Sequence, residues 1–110
     1  MKRIVFISLL AAAGVAQADT AVPEKAVVCA SCHGEAGAKP IVPSYPILAG
    51  QYANYLEHSL HEYKSGKRKN AVMAGQVATL SDADIKALAR YFAAQQSPLH
   101  TPSVHGSAAK

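Results

Sequence analysis

Cys29-Ala30-Ser31-Cys32-His33 is the stretch on which the reading of this chain turns. Two cysteines separated by two residues and followed at once by histidine form the spacing at which haem is covalently attached to protein. Two thiols three positions apart on a helical turn can add across the two vinyl groups of one haem. The histidine that follows then lies beneath the iron as an axial ligand. The motif thus names a cofactor, one covalently attached haem c, and three residues that hold it.

Competing readings of the same five residues each ask for something absent from the sequence. Structural zinc sites take four ligands, usually with a second Cys or His pair downstream, and this chain has only two cysteines in 110 residues. His58 and His61 stand three apart, unlike a zinc-finger pair. Thioredoxin-like dithiols sit in a βαβ surrounding, and the flanks here carry no strand pattern. A plain disulfide suits an oxidising compartment but gives His33 no task.

Upstream of the motif, Lys2 and Arg3 form a positive start, residues 4–15 an apolar run, and Ala16-Gln17-Ala18 a small-x-small cleavage pattern. Residues 1–18 therefore read as a secretory signal peptide, which points to the periplasm. The apolar run of about a dozen residues falls short of the roughly 20 that a membrane-spanning helix needs. No membrane span is expected in the mature chain. Without Lys2 and Arg3, nine basic residues face seven acidic ones, a balance of about +2. Such a charge, with no aromatic residues interleaved in a basic stripe, gives no case for nucleic-acid binding. A mature domain of this size has a marginal core, to which a buried cofactor adds stability.

Helical periodicity organises the rest. The spacing predicts a first helix from Val22 to His33, with Pro23 in its first turn and Gly34 and Gly37 as breakers. Pro40, Pro43 and Pro46 mark the following stretch as a loop. A second helix is expected from Gln51 to Ser65, with Tyr52, Leu56, Leu60 and Tyr63 at steps of three and four and Gly66 as its stop. One or two helical turns are expected within residues 71–80. Ser81 then caps a last helix with Asp84 in a capping-box arrangement and Ile85, Leu88, Ala89 and Phe92 as its apolar stripe. Three main helices plus short turns make an all-α domain over residues 19–96, and residues 97–110 read as a flexible C-terminal tail.

In this order the haem motif, Tyr45-Pro46-Ile47-Leu48-Ala49-Gly50-Gln51, Tyr63-Lys64-Ser65-Gly66-Lys67-Arg68, Met73 and Leu80-Ser81-Asp82-Ala83-Asp84-Ile85 resemble the class I c-type cytochromes. The likeness is to small bacterial periplasmic monohaem cytochromes and to single domains of their dihaem relatives, and it covers residues 24–95. It implies the class I cytochrome c fold and a second axial ligand. Met73 is the expected one: it is the only methionine besides the initiator and lies forty residues beyond His33. Methionine more commonly fills gaps in a core, but an iron held on one side by His33 needs a partner on the other. His58 and Glu62 instead make an i,i+4 surface pair, and His100 and His105 fall in the tail.

Further roles follow from the same resemblance. The second imidazole nitrogen of an axial histidine usually donates to a carbonyl, and the family's proline carbonyl matches Pro46. Arg68 is a candidate partner for a haem propionate. Lys64, Lys67, Arg68 and Lys69 form the one local basic cluster, suited to steering an acidic partner surface.

With both axial positions filled, the iron has no place for substrate, which implies outer-sphere electron transfer and no enzyme activity. The expected role is a monomeric shuttle of single electrons between redox-protein donors and acceptors. The rival is a haem-bearing subunit of a periplasmic dehydrogenase or oxidase complex. A non-haem thiol or metal module, and a gas-binding or peroxidatic cytochrome lacking the Met73 bond, are the remaining readings.

Overall fold

A computed structural model describes residues 22–100. Within them lie four α-helices and a 3-10 turn: α1 (Ala26–His33), the turn (Glu35–Gly37), α2 (Ala53–Ser65), α3 (Ala71–Val77) and α4 (Asp82–Ala93). No strand occurs among the described residues, so the domain is all-α. The expected signal peptide, and the tail beyond residue 100, lie outside the described residues.

α1 begins at Ala26, later than the spacing predicts. Pro23 does not enter the helix; its carbonyl accepts from the Ala26 amide at 2.9 Å, closing a turn ahead of it. Proline also disfavours helical backbone in the residue before it, so Val22 cannot extend the helix upstream. The helix carries both cysteines and ends on His33. Gly34 then adopts φ 84°, ψ 165°, a conformation almost confined to glycine, and a Cβ there would lie 2.0 Å from the Lys39 carbonyl oxygen. The chain therefore reverses directly after the histidine.

The proline-bearing segment is irregular and is fixed by backbone bonds at both ends. Leu48 and Ala49 donate to the Gly37 carbonyl at 2.9 and 3.1 Å, and Gly50 donates to the Phe92 carbonyl at 3.0 Å. Ala49 is fully buried where the loop meets α4. These bonds set the loop against both the 3-10 turn and the last helix.

α2 starts at Ala53 and stops at Gly66, whose left-handed φ of 79° ends it as the sequence implies. Leu56 is buried and Leu60 and Tyr63 pack against the core, but Tyr52 occupies the N-cap position and is 67% exposed. Ser59 is buried in its stead. α4 has the expected capping box: Ser81 Oγ accepts from the Asp84 amide at 3.1 Å and Asp84 Oδ2 accepts from the Ser81 amide at 2.8 Å. Ile85, Leu88, Ala89 and Phe92 are all buried. Burial contributes about 1.5–3 kcal/mol for each large side chain of this kind.

Phe92 is the one aromatic residue among the buried described residues, so the core is built from small and aliphatic side chains. Val77 and Leu80 bring the end of α3 into it, and Ala26 brings α1. Lys25 crosses from the start of α1 to Asp84 at the start of α4. His61 of α2 faces Asp82 of α4 at 3.9 Å, and Lys64 donates to the Leu80 carbonyl. The starts of α1 and α4 and the later part of α2 are thereby tied together.

Candidate functional site

α1 carries Cys29, Cys32 and His33 within its last five residues, little more than one turn. Neither cysteine is in a disulfide and both are half-buried. Burial pushes the Cys29 thiol up, opposed by its backbone hydrogen bond and reinforced by nearby Cys32. Cys29 Sγ is 3.7 Å from the Lys25 carbonyl oxygen, within the same helix.

His33 is buried, and its Nδ1 lies 2.7 Å from the Pro46 carbonyl oxygen. A carbonyl can only accept, so Nδ1 carries the proton and Nε2 bears the lone pair that binds metal. The Tyr45 ring stands beside the imidazole, with centroids 6.3 Å apart. From the other side of the loop, Ile41 donates its amide to the Cys32 carbonyl at 3.1 Å. The loop between them is thus pinned to the last turn of α1 at two points, and it leaves Ile41, Val42 and Tyr45 exposed.

Met73 sits in the first turn of α3, half-buried and packed against the core. Its amide donates to Asn70 Oδ1 at 3.0 Å, the side-chain cap of that helix. Asn70 therefore fixes the backbone from which Met73 projects. No bond between Met73 and His33 is present; the two belong to separate elements of the fold.

Arg68 makes side-chain contacts with α2. Nη1 donates to Ser59 Oγ at 3.1 Å and to Tyr55 Oη at 3.4 Å, and the guanidinium carbon lies 5.1 Å from the Tyr63 ring centroid. The hydrogen bond to Tyr55 pushes the Arg68 pKa up, and Arg68 holds the Tyr55 hydroxyl below its ordinary value. Arg68 and Lys64 are both engaged, so the basic cluster is dispersed: Lys64 turns to Leu80, while Lys67 and Lys69 are exposed.

Other histidines are occupied elsewhere. His58 Nε2 lies 3.2 Å from Glu62 Oε1 on the α2 surface, His61 faces Asp82, and His100 Nδ1 lies 3.4 Å from the Pro98 carbonyl. His105 lies outside the described residues. Ser59 and Tyr55 are partners of Arg68 that helical spacing did not bring out. The available signal was a serine inside the Leu56–Leu60–Tyr63 stripe.

The residues present fit a covalently held haem. Two unbridged thiols lie on one helix, the adjacent histidine has its metal-binding nitrogen unengaged by its carbonyl partner, and the neighbouring loop exposes apolar side chains that a flat apolar group would cover.

Residues 15–96 match the cytochrome c family. The chain is 46% identical over 85 residues to cytochrome c4 of Pseudomonas aeruginosa, covering 77% of this chain and 40% of that protein. It is 41% identical over 76 residues to cytochrome c-554(548) of Halomonas halodenitrificans, covering 66% of this chain and 90% of the relative. It is 37% identical over 94 residues to a thiosulfate dehydrogenase electron acceptor of Thiomonas intermedia, covering 84% and 43%. The chain thus spans about two fifths of the length of the first and third relatives and nearly all of the second. The family, the helical fold and the paired cysteines agree: this chain belongs to the class I c-type cytochromes, electron-transfer proteins built on a covalently bound haem c.

Proposed function

We propose that the chain is an exported monohaem cytochrome that shuttles single electrons between larger redox enzymes of the periplasm. The observation that carries the reading is the 2.7 Å bond from His33 Nδ1 to the Pro46 carbonyl, which orients the ring and leaves Nε2 for iron. Cys29 and Cys32 would hold the group covalently. Met73 would supply the second protein ligand to the iron, its backbone set by the Asn70 cap.

Haem bound there supplies an iron that alternates between Fe(III) and Fe(II). With His33 and Met73 both as ligands, the iron would have no open place for substrate, which suits outer-sphere transfer. The N-terminal pattern of residues 1–18 supports export, and among the described residues no helix is long and apolar enough to cross a membrane.

A second reading, a haem-bearing subunit of a periplasmic dehydrogenase or oxidase complex, is favoured by the relative named as a thiosulfate dehydrogenase electron acceptor. Exposed Val22, Val27 and Val28 on and before α1 offer apolar surface for such an assembly. Reoxidation of the purified, reduced holoprotein by host membranes separates the two. The shuttle predicts monomeric elution and a rate proportional to added protein. Stable comigration with a dehydrogenase or oxidase, with no transfer from the free protein, supports the subunit.

A further inference from the structure

Two of the loop prolines bracket an aromatic residue, in Pro43-Ser44-Tyr45-Pro46. The Tyr45 amide donates to the Val42 carbonyl at 3.1 Å, closing a four-residue turn with Pro43 at its second position. Proline suits that place because its ring presets the φ that the turn needs. Pro46 in turn disfavours helical backbone at the residue before it. The backbone of Tyr45 is thus limited from both sides by residues close in sequence.

This turn is pinned to α1 at each end. Ile41, just ahead of it, donates its amide to the Cys32 carbonyl at 3.1 Å, one of the carbonyls that the end of a helix leaves open. Pro46, just after it, has its carbonyl oxygen 2.7 Å from His33 Nδ1. Between the two pins the Tyr45 ring stands beside the imidazole, with centroids 6.3 Å apart and planes inclined at 44°. That separation is within the range of contacting aromatic pairs. His33 is buried, whereas Tyr45 is 36% exposed. The Pro46 bond anchors the imidazole by one edge, but a carbonyl accepts over a spread of directions. A second contact narrows that spread.

We propose that Tyr45 is a positioning residue for His33: its ring, placed by the Pro43 turn, is the second restraint on the imidazole and holds the Nε2 lone pair in one direction. The proposal rests on the haem reading above and deepens it. Tyr45 acts through the histidine, by the bulk of its ring rather than by its hydroxyl. An imidazole braced at one edge by Pro46 and beside its ring by Tyr45 keeps one orientation in both oxidation states. An arriving electron then finds no ligand to reorient. The loop prolines accordingly have separate tasks, Pro43 to build the turn that carries Tyr45 and Pro46 to accept from Nδ1.

Electron paramagnetic resonance of the ferric holoprotein tests this, because the plane of an axial imidazole governs the anisotropy of low-spin ferric iron and a spread of planes broadens its g features. Tyr45→Phe, Tyr45→Ala and Pro43→Gly are compared with the unmodified chain at equal haem content. Tyr45→Phe is expected to keep the g values and line widths. Tyr45→Ala is expected to shift and broaden them, and Pro43→Gly to do so by less. Unchanged g values and widths in Tyr45→Ala overturn the proposal, even where that variant unfolds more easily. A change in Tyr45→Phe as large as that in Tyr45→Ala assigns the effect to the hydroxyl and overturns the role of the ring. An unchanged Pro43→Gly beside a changed Tyr45→Ala overturns the part given to the turn. If Tyr45→Ala does not fold, Tyr45→Leu, which keeps bulk without a flat ring, takes its place under the same criteria. Covalent haem in the unmodified protein is established first: its absence defeats the haem reading itself, whereas identical spectra with haem in place defeat only the role of Tyr45.

Discussion

The imidazole of His33 donates from Nδ1 to the carbonyl oxygen of Pro46 across 2.7 Å, joining the last residue of α1 to the loop thirteen positions later. One bond settles two properties of the ring. It fixes the tautomer, with the lone pair on Nε2, and it sets the plane of the imidazole by an anchor in an otherwise irregular segment. The loop is itself held by Gly37 and Phe92 carbonyls, so the orientation of the histidine is transmitted from the helical core.

Replacing Met73 by Ala is expected to leave haem covalently attached, to lower the reduction potential and to open the iron to carbon monoxide. Thioether ligation favours ferrous iron relative to imidazole or water. The check is a redox titration paired with a carbon monoxide difference spectrum. Unchanged potential together with no carbon monoxide binding would exclude Met73 as a ligand.

Asn70→Ala removes the side-chain cap of α3 and should cost about 1 kcal/mol of stability in denaturant unfolding. Because that cap bonds the Met73 amide, carbon monoxide should also bind the ferrous variant more readily than the unmodified protein. Loss of stability with no change in carbon monoxide affinity would confine Asn70 to helix capping.

Cys29→Ser and Cys32→Ser each remove one thioether. Each is expected to retain haem less completely than the unmodified protein after denaturation in acid organic solvent, and the double variant to release it altogether. Mass spectrometry of the denatured chain reads this directly. Retained haem mass in the double variant would defeat the attachment.

Asp84 has its pKa lowered to about 2, first by Lys25 and then by its bonds to Ser81. A carboxylate whose folded pKa lies below its unfolded value contributes stability that is present above the unfolded pKa and lost as pH falls toward the folded one. The contribution should therefore disappear between about pH 4 and pH 2. Thermal unfolding of Asp84→Asn is expected to show a shallower fall in Tm over that interval than the unmodified chain, measured on proteins with equal haem content. Parallel curves would mean that other groups govern the acid limb.

Gly34→Ala and Gly66→Ala separate steric from conformational cost. Both glycines have positive φ, but a Cβ at Gly34 meets the Lys39 backbone whereas one at Gly66 meets open space. Gly66→Ala should destabilise by about 1–2 kcal/mol, the left-handed penalty alone. Gly34→Ala adds a backbone clash beside His33 and should cost more than about 3 kcal/mol or prevent folding. Equal midpoints in urea would contradict the distinction.

Local chemistry explains which parts of the fold were legible in the sequence. The α4 capping box, its buried stripe and the Gly66 stop depend on residues within a few positions of one another, and each occurs where the spacing puts it. The start of α1 was less legible, because Lys25 is drawn to Asp84 and Pro23 closes a turn rather than entering the helix. Tyr52 and Ser59 exchange the places expected for an aromatic and a small polar residue, since Arg68 supplies the serine with a partner. Lys64 left the basic cluster for the Leu80 carbonyl for a similar reason. In the site, the Cys-x-x-Cys-His spacing was readable from five consecutive residues, whereas the surroundings of Arg68 arise from α2 and could not be read from the linker alone.

The most direct test of the His/Met carrier is the visible spectrum of the protein expressed with its N-terminal segment, recorded oxidised and reduced. The account predicts a c-type haem spectrum with the weak far-red band of sulfur bound to ferric iron, absent in Met73→Ala. A c-type spectrum without that band would contradict the closed His33/Met73 site and direct attention to ligand binding at an open iron. A colourless protein would contradict the account as a whole.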